Sequence, residues 1–154
     1  MDYDQKLTEL GLTLPPAPTP VGSYVPCVES NGQLFISGQI PRAGGEIQYR
    51  GKIGEDLQVK DGYEASKLCV LNALAAAKAH LGTLNRIKRV VRLSGFVRSG
   101  EEFRDQPKVI DGASDLLVSI FGDSGKHARV SVGVNELPGG STVEIEILFE
   151  LTKP

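Results

Sequence analysis

Hydrophobic and polar residues alternate along the last part of the chain in the way that predicts two β-strands. Over 143–151 an apolar residue occupies every odd position, and glutamates occupy positions 144, 146 and 150. Over 128–134 an alanine and three valines alternate with Arg129, Ser131 and Gly133. A period of two residues places the two sets on opposite faces of a sheet. We therefore expect each strand to bury its apolar set and to carry its polar set on the other face.

Three further strands are predicted in the first two thirds of the chain. Residues 24–28 and 33–37 flank an Asn-Gly dipeptide at 31–32, which is typical of a two-residue hairpin turn. Pro26 restricts the first of these strands to a sheet edge or a bulge, because proline donates no hydrogen bond. Residues 88–97 are rich in β-branched side chains and predict the third strand.

Two helices are predicted between these strands. Small and apolar residues over 61–81 and 105–121 recur at the spacing of one buried helix face. Asp61 is the expected N-cap of the first helix, and Gly82 and Gly122 follow the two C-termini. The resulting order is β-β-α-β-α-β-β. Because two helices can cover only one face of such a sheet, we predict an α+β fold.

The domain organisation is predicted to be an N-terminal arm over 1–20 and a single domain over 21–154. Prolines at positions 15, 16, 18 and 20 exclude a continuous helix there and favour an extended lead into the first strand. A short helix carrying three leucines is possible over 1–13. Glycines also mark an irregular excursion over 42–60, and a loop of that length is often functional or contains a small strand.

The sheet face that the helices leave uncovered is expected to carry Arg129 and the glutamates of the last strand. Such a face is unsuited to a second core, but it suits a wet cleft or a subunit interface. We therefore expect the chain to associate with copies of itself.

Composition and charge narrow the classes of function. The chain has 154 residues and a net charge of −2, which argues against a dedicated nucleic-acid binder. Cys27 and Cys69 lie in no CxxC or Cys/His cluster, so we expect neither a disulfide framework nor a metal site. The two histidines, His80 and His127, fit structural roles near a helix C-terminus and in a loop. No membrane span or secretory signal is visible, so a cytoplasmic protein is expected.

Arg129 is the main candidate for chemistry, because no common catalytic motif is present. It stands among apolar and small residues, which leaves two interpretations open. It could form an interface ion pair with Glu144, Glu146 or Asp111. Alternatively, its guanidinium could receive a substrate carboxylate in two parallel hydrogen bonds.

Several segments share their order and spacing with a known family. They are 21–25 (VGSYV), 37–41 (SGQIP), 96–97 (FV) with Phe103, 127–129 (HAR), and 137–138 (LP) followed by 143–146 (VEIE). On these segments the chain resembles the RidA (reactive intermediate deaminase) family, also called YjgF-like. The resemblance implies a chorismate-mutase-like mixed sheet with two helices on one face, assembled as a homotrimer with clefts between subunits. It also implies hydrolysis of 2-imino and 2-enamino acids to 2-keto acids and ammonia, without a cofactor.

The resemblance also implies residue roles. Arg129 would hold the substrate carboxylate, and Glu144 would position or deprotonate the attacking water. A structural ion pair across the interface is the competing interpretation of Glu144. The other residues that the resemblance places around the substrate are Tyr24, Ser37, Gly38, Phe96, Asp111 and Ser131.

Two residues depart from the family's usual pattern. Ser131 stands where typical members have cysteine, and Asp111 stands where they have asparagine. Asp111 adds a negative charge that could repel an anionic substrate or pair with Arg129. Two other functions therefore stay open: a trimer that binds small carboxylic or keto acids without catalysis, and the ribonuclease activity attributed to some relatives.

Overall fold

A computed structural model describes residues 1–154 as a sheet with helices packed on one face. The helices are α1 (Tyr3–Glu9), α2 (Val59–Leu81) and α3 (Gln106–Phe121). The strands are β1 (Cys27–Ser30), β2 (Gln33–Gln39), β3 (Arg42–Ala43), β4 (Glu46–Ile47), β5 (Ile87–Arg98), β6 (Ala128–Val134) and β7 (Val143–Leu151). None of the three helices is long and apolar enough to cross a membrane.

The main sheet has the strand order β1-β2-β7-β5-β6. Only the β5–β6 pair is parallel, and the other pairs are antiparallel. The predicted α+β class is therefore confirmed as a mixed sheet. The excursion over 42–60 contributes the separate hairpin β3–β4, which the sequence indicated only as a small strand.

The core lies between the sheet and the two long helices. Val143, Ile145, Ile147, Phe149 and Leu151 of β7 are all buried, as their alternation predicts. Small residues allow α2 and α3 to pack closely together. A Cβ at position 112 of α3, for example, would collide with the backbone of α2, so this crossing requires glycine.

The N-terminus of α2 lies earlier than the sequence predicted. The helix begins at Val59 with Gln58 as N-cap, and Asp61 occupies the third helical position. The Asp61 carboxylate accepts a hydrogen bond from the Gln58 amide at 2.8 Å. Asp61 therefore closes a capping box instead of forming the cap itself, because that reciprocal pair satisfies two backbone donors.

The first residues of the expected arm are part of the folded domain. Tyr3 and Leu7 of α1 are buried, and the Tyr3 ring lies 4.6 Å from that of Phe121 at the end of α3. The Tyr3 amide also donates to the Asn85 side chain at 2.7 Å. The short helix that the sequence offered over 1–13 is therefore α1, which packs against the core, and the extended part of the arm begins after it.

Strand β6 presents the opposite face from the one that the sequence predicted. Arg129 is paired in register with the fully buried Leu93, so its side chain lies on the helix-covered face. Val130 and Val132 instead point to the uncovered face and are 38% and 43% exposed. The prediction failed because β6 is an edge strand beyond the middle of the core, where alternation does not say which set faces inward.

Candidate functional site

A cavity of about 500 Å³ opens where β2 ends. Gly38 and Glu144 lie on its sheet side, and Tyr24 lies on the side of the arm. Arg42 and Glu144 are the only charged residues in its lining. The remaining lining residues are Pro18, Thr19, Pro20, Val21, Pro26, Gln39, Ile40, Asn72 and Pro138. The proline-rich arm therefore forms one wall of a cavity with one cation and one carboxylate.

Glu144 stands on the uncovered face of β7 and is half-buried. Burial raises the pKa of its carboxyl above the ordinary value of 4.5, and the charge of Glu146 adds to this rise. The carboxylate lies against Gly38, at the irregularity in pairing between β2 and β7. Any Cβ at position 38 would collide with it, so the glycine provides the room that Glu144 occupies.

The segment after β2 is fixed by Asn72 of α2, whose side chain is almost fully buried. The Asn72 amide donates to the carbonyls of Ile40 and Arg42 at 3.3 and 3.1 Å. These bonds link the long helix to the rim of the cavity. A buried amide that satisfies two backbone acceptors holds the rim in one conformation.

Arg129 is engaged by α3 of the same chain. Its Nη1 atom donates to Asp111 at 2.8 Å and to the Ser114 hydroxyl at 3.1 Å, and its side chain is 24% exposed. Of the three carboxylates that the sequence offered as partners, the structure places Asp111 on the arginine. The Asp111 side chain is itself half-exposed, so the pair lies at the surface of the domain.

His127, for which the sequence suggested a structural role in a loop, extends this network. Its Nδ1 lies 2.6 Å from the Gly125 carbonyl, and its Nε2 lies 2.9 Å from the Ser114 hydroxyl. A carbonyl only accepts, so Nδ1 carries the proton and Nε2 of the neutral ring accepts from Ser114. Burial lowers the pKa of His127 below 6.5, and the positive charge of Arg129 lowers it further.

The remaining predicted site residues fall in different places. Ser131 lies beside Arg129 on β6, and its buried hydroxyl has no hydrogen-bond partner. Phe96 is on the uncovered face, paired with Glu144 on one side and Val132 on the other. The Ser37 hydroxyl donates to the Val25 carbonyl at 2.6 Å, and its residue lines a second cavity of about 330 Å³.

One chain does not bring the two main candidates together. Glu144 lies on the uncovered face of β7, whereas Arg129 lies on the helix-covered face of β6, with β5 between the two strands. Six of the eight predicted residues form two groups, and Ser37 and Phe96 lie outside both. The groups are Tyr24, Gly38 and Glu144 at the cavity, and Asp111, Arg129 and Ser131 at the β6 edge.

The cysteines and His80 do not join either group. Burial raises the pKa of both Cys69 and Cys27, so neither thiol is activated. The His80 ring lies 3.1 Å from the Glu29 carboxylate at the surface, which is a structural contact. No three His, Cys, Asp or Glu side chains converge in a way that could hold a metal ion.

Sequence reasoning missed Arg42, Asn72 and Ser114. Arg42 lies in the irregular segment after β2 and Asn72 lies on α2, and both line the cavity. Sequence periodicity does not show that these two separate elements meet there. Ser114 connects Arg129 to His127. The spacing of residues along α3 gave no sign of this role, because contacts between a helix and an edge strand depend on how the two pack together.

Comparison with known proteins identifies the family. The model of the family described as "YjgF/chorismate_mutase-like, putative endoribonuclease" matches residues 4–151. Protein TCP17 of Trypanosoma cruzi is 44% identical over 146 residues, covering 94% of this chain and 91% of that protein. A 2-iminobutanoate/2-iminopropanoate deaminase of Dermatophagoides farinae is 27% identical over 135 residues, covering 88% and 91%.

A solved structure supports the same assignment. The crystal structure of the protein Atu1372 of unknown function from Agrobacterium tumefaciens has a TM-score of 0.91 and 42% identity. It covers 97% of this chain, and this chain covers 92% of it. The match extends over α1, the sheet and the long helices. The chain therefore belongs to the YjgF family, as the resemblance of its sequence segments implied.

Proposed function

We propose that the protein is a hydrolytic deaminase of small 2-imino and 2-enamino acids, which it converts to 2-keto acids and ammonia. The observation that carries this proposal is the half-buried Glu144 carboxylate, which borders a cavity large enough for a small acid. A carboxylate in such a place can orient a water molecule and accept its proton. The relative named as a 2-iminobutanoate/2-iminopropanoate deaminase supports this choice of substrate.

The complete site requires two chains. Arg129 and Glu144 lie on opposite faces of the sheet, so a cleft containing both must draw them from neighbouring protomers. We propose a homotrimer in which the β6 edge of one chain, with Arg129 and Ser131, meets the cavity of the next. The uncovered sheet face supplies the apolar surface that such an assembly would bury.

The reaction needs no nucleophilic side chain. In the proposed cleft, Arg129 binds the substrate carboxylate and Glu144 faces the C=N group. Water oxygen bonds to the electrophilic carbon, and Glu144 takes the proton that the water loses. That proton then passes to nitrogen, which gives a carbinolamine. Glu144 next transfers the hydroxyl proton to nitrogen, the C–N bond breaks as the hydroxyl oxygen forms the carbonyl, and ammonia leaves. Orientation of the two reactants accounts for most of the acceleration.

The test uses imino acids generated in solution by an amino-acid oxidase, with release of keto acid followed over time. Wild type should accelerate the release, and Glu144→Gln should lower the rate roughly a hundredfold or more because the base is lost. Glu150→Gln is the matched control, since Glu150 lies on the same strand but pairs with Lys88 at the surface. Equal rates in wild type and Glu144→Gln would contradict the role of Glu144.

Arg129 is tested by two substitutions. Arg129→Lys retains a charge beside Asp111 but loses the planar fork, whereas Arg129→Ala also leaves Asp111 without its partner. Both should raise KM for the imino acid by about tenfold or more. An unchanged KM in both variants would mean that another group holds the carboxylate.

A second candidate function is a trimer that binds small carboxylic or keto acids without catalysis. The Arg129 guanidinium is already paired with Asp111 and Ser114, so a substrate carboxylate has to share it. Under this alternative, 2-oxobutanoate would bind in calorimetry, yet wild type would not accelerate the hydrolysis of any imino acid supplied. The net charge of −2 gives no support to RNA as the ligand.

A further inference from the structure

We infer that Arg42 selects substrates with a second carboxylate, so that the preferred imino acids are dicarboxylic. This inference rests on the proposed function and adds to it a residue that reads the far end of the substrate. Neither the sequence pattern nor the proposed chemistry gives Arg42 a role. Its place in the cavity that Glu144 borders is the starting observation.

Arg42 is the only positively charged residue in the lining of the cavity. Its guanidinium forms no ion pair with any carboxylate of the chain, and its one hydrogen bond is a long 3.4 Å contact from Nη1 to the Gly45 carbonyl. Arg129, in contrast, is paired at 2.8 Å. Most of the Arg42 donors are therefore available to a ligand, and a guanidinium binds a carboxylate in a bidentate manner.

The backbone that carries Arg42 is held in place. Its amide donates to the Ile40 carbonyl at 2.8 Å, and its carbonyl accepts from the buried Asn72 at 3.1 Å. Pairing with Ile47 in the β3–β4 hairpin fixes the other side. A long side chain on an anchored backbone can bind an anion at a defined place on the cavity rim.

Of the two arginines in the proposed cleft, Arg42 has no carboxylate partner, whereas Arg129 is paired with Asp111. Arg129 from the neighbouring chain shares its guanidinium between Asp111 and the carboxylate next to the C=N group, and Glu144 faces the nitrogen. A monocarboxylic substrate then leaves the Arg42 charge without a partner, whereas a second carboxylate at the far end pairs with it. Each additional charge-assisted bond favours the dicarboxylic substrate over a monocarboxylic one of the same length.

The experiment compares binding of two stable five-carbon keto acids by calorimetry, 2-oxoglutarate and 2-oxopentanoate. Wild type should bind the dicarboxylate about tenfold more tightly. Arg42→Gln should remove that preference while leaving the affinity for 2-oxopentanoate unchanged. Arg104→Gln removes the same charge from an exposed residue that pairs only with Glu102, and it should behave as wild type.

The ratio of the two affinities is the deciding quantity, because a general disturbance of the hairpin lowers both affinities together. A ratio near one in wild type, or an unchanged ratio in Arg42→Gln, overturns the inference. Loss of both ligands in an Arg42→Gln protein that unfolds at the wild-type temperature also overturns it, since Arg42 would then bind the carboxylate assigned to Arg129. Failure of the proposed function is seen separately, as an absence of imino acid hydrolysis by wild type.

Discussion

Glu144 depends on the residue that faces it across the irregular end of β2. Gly38 has no side chain, and the Glu144 carboxylate occupies the space that a Cβ would need. The glycine does not have a positive φ, so glycine is required here to leave space for the carboxylate and not for its backbone freedom. A small change at position 38 should therefore affect the carboxylate more than the fold.

Gly38→Ala should lower kcat for imino acid hydrolysis by about tenfold or more, because the new methyl group displaces the Glu144 carboxylate from its working position. Steady-state kinetics measures this loss. Combining Gly38→Ala with Glu144→Gln should cost little beyond Glu144→Gln alone, since both act on one group. Full additivity of the two losses would contradict the mechanism.

His127 gives the β6 edge a dependence on pH. Its pKa is lowered in the folded chain, mainly by burial, so the unfolded chain takes up a proton first as the pH falls. The contribution of the neutral ring to the free energy of unfolding is therefore complete above about pH 6.5, the pKa in the unfolded chain. It is lost as the pH falls through the lower pKa of the folded chain.

When the pH is lowered from 7.5 to 5.5, the free energy of unfolding should fall more in wild type than in the His127→Gln variant. The difference should stay under about 1 kcal/mol, because the ring is only partly buried. Melting curves across this range measure it, and other titrating groups cancel in the comparison. An equal fall in the variant and in wild type would show that protonation of His127 does not affect the stability of the fold.

At the scale of the elements, α2 does more than cover the sheet. Through Asn72 it fixes the segment that joins β2 to β3, and this segment forms the rim of the cavity. The helix, the strand end and the hairpin thus meet at one buried amide. Neither carbonyl can find water there as easily as at the surface, so the amide is expected to be costly to remove.

Asn72→Ala should lower the free energy of unfolding by about 1–3 kcal/mol, because two part-buried carbonyls lose their donor. Urea denaturation provides the measurement. Lys67→Ala, on the same helix, should cost under about 0.5 kcal/mol, since Lys67 forms an exposed pair with Glu64 at 3.6 Å and a distant contact with the Tyr63 ring at 6.0 Å. Equal costs in the two variants would contradict the anchoring role of Asn72.

The elements that the sequence predicted best are those with one clear buried face. The alternation of β7 and the periodicity of α3 follow directly from burial against the core. The facing of β6 was predicted wrongly, because an edge strand can turn either set of side chains toward a helix. The separation of Arg129 from Glu144 could not be predicted either, since it depends on strand order rather than spacing.

For the whole molecule, the uncovered sheet face is the feature that still requires a partner. Four apolar side chains on this face are each more than a third exposed: Val28, Phe35, Val130 and Val132. Glu144 and Glu146 lie between the two pairs, on the central strand β7. A surface with this many apolar side chains is typical of an interface. We expect the face to be buried between copies of the chain.

Val132→Glu should convert the assembly to single chains, because it adds a charge to the buried apolar surface. Light scattering after gel filtration should show three times 16.5 kDa for wild type and 16.5 kDa for the variant. Val118→Glu is the matched control, since Val118 is 37% exposed on α3 and should leave the mass unchanged. A single-chain mass for wild type would remove the basis of the shared cleft.

The placement of Arg129 and Glu144 on opposite faces has a consequence for mixtures of two impaired variants. A chain with Arg129→Ala still contains the native Glu144, and a chain with Glu144→Gln still contains the native Arg129. Refolded together in equal amounts, the two should rebuild about a quarter of the clefts, so the mixture should be more active than either variant alone. Mixed assemblies without such complementation would mean that each reaction takes place within one polypeptide.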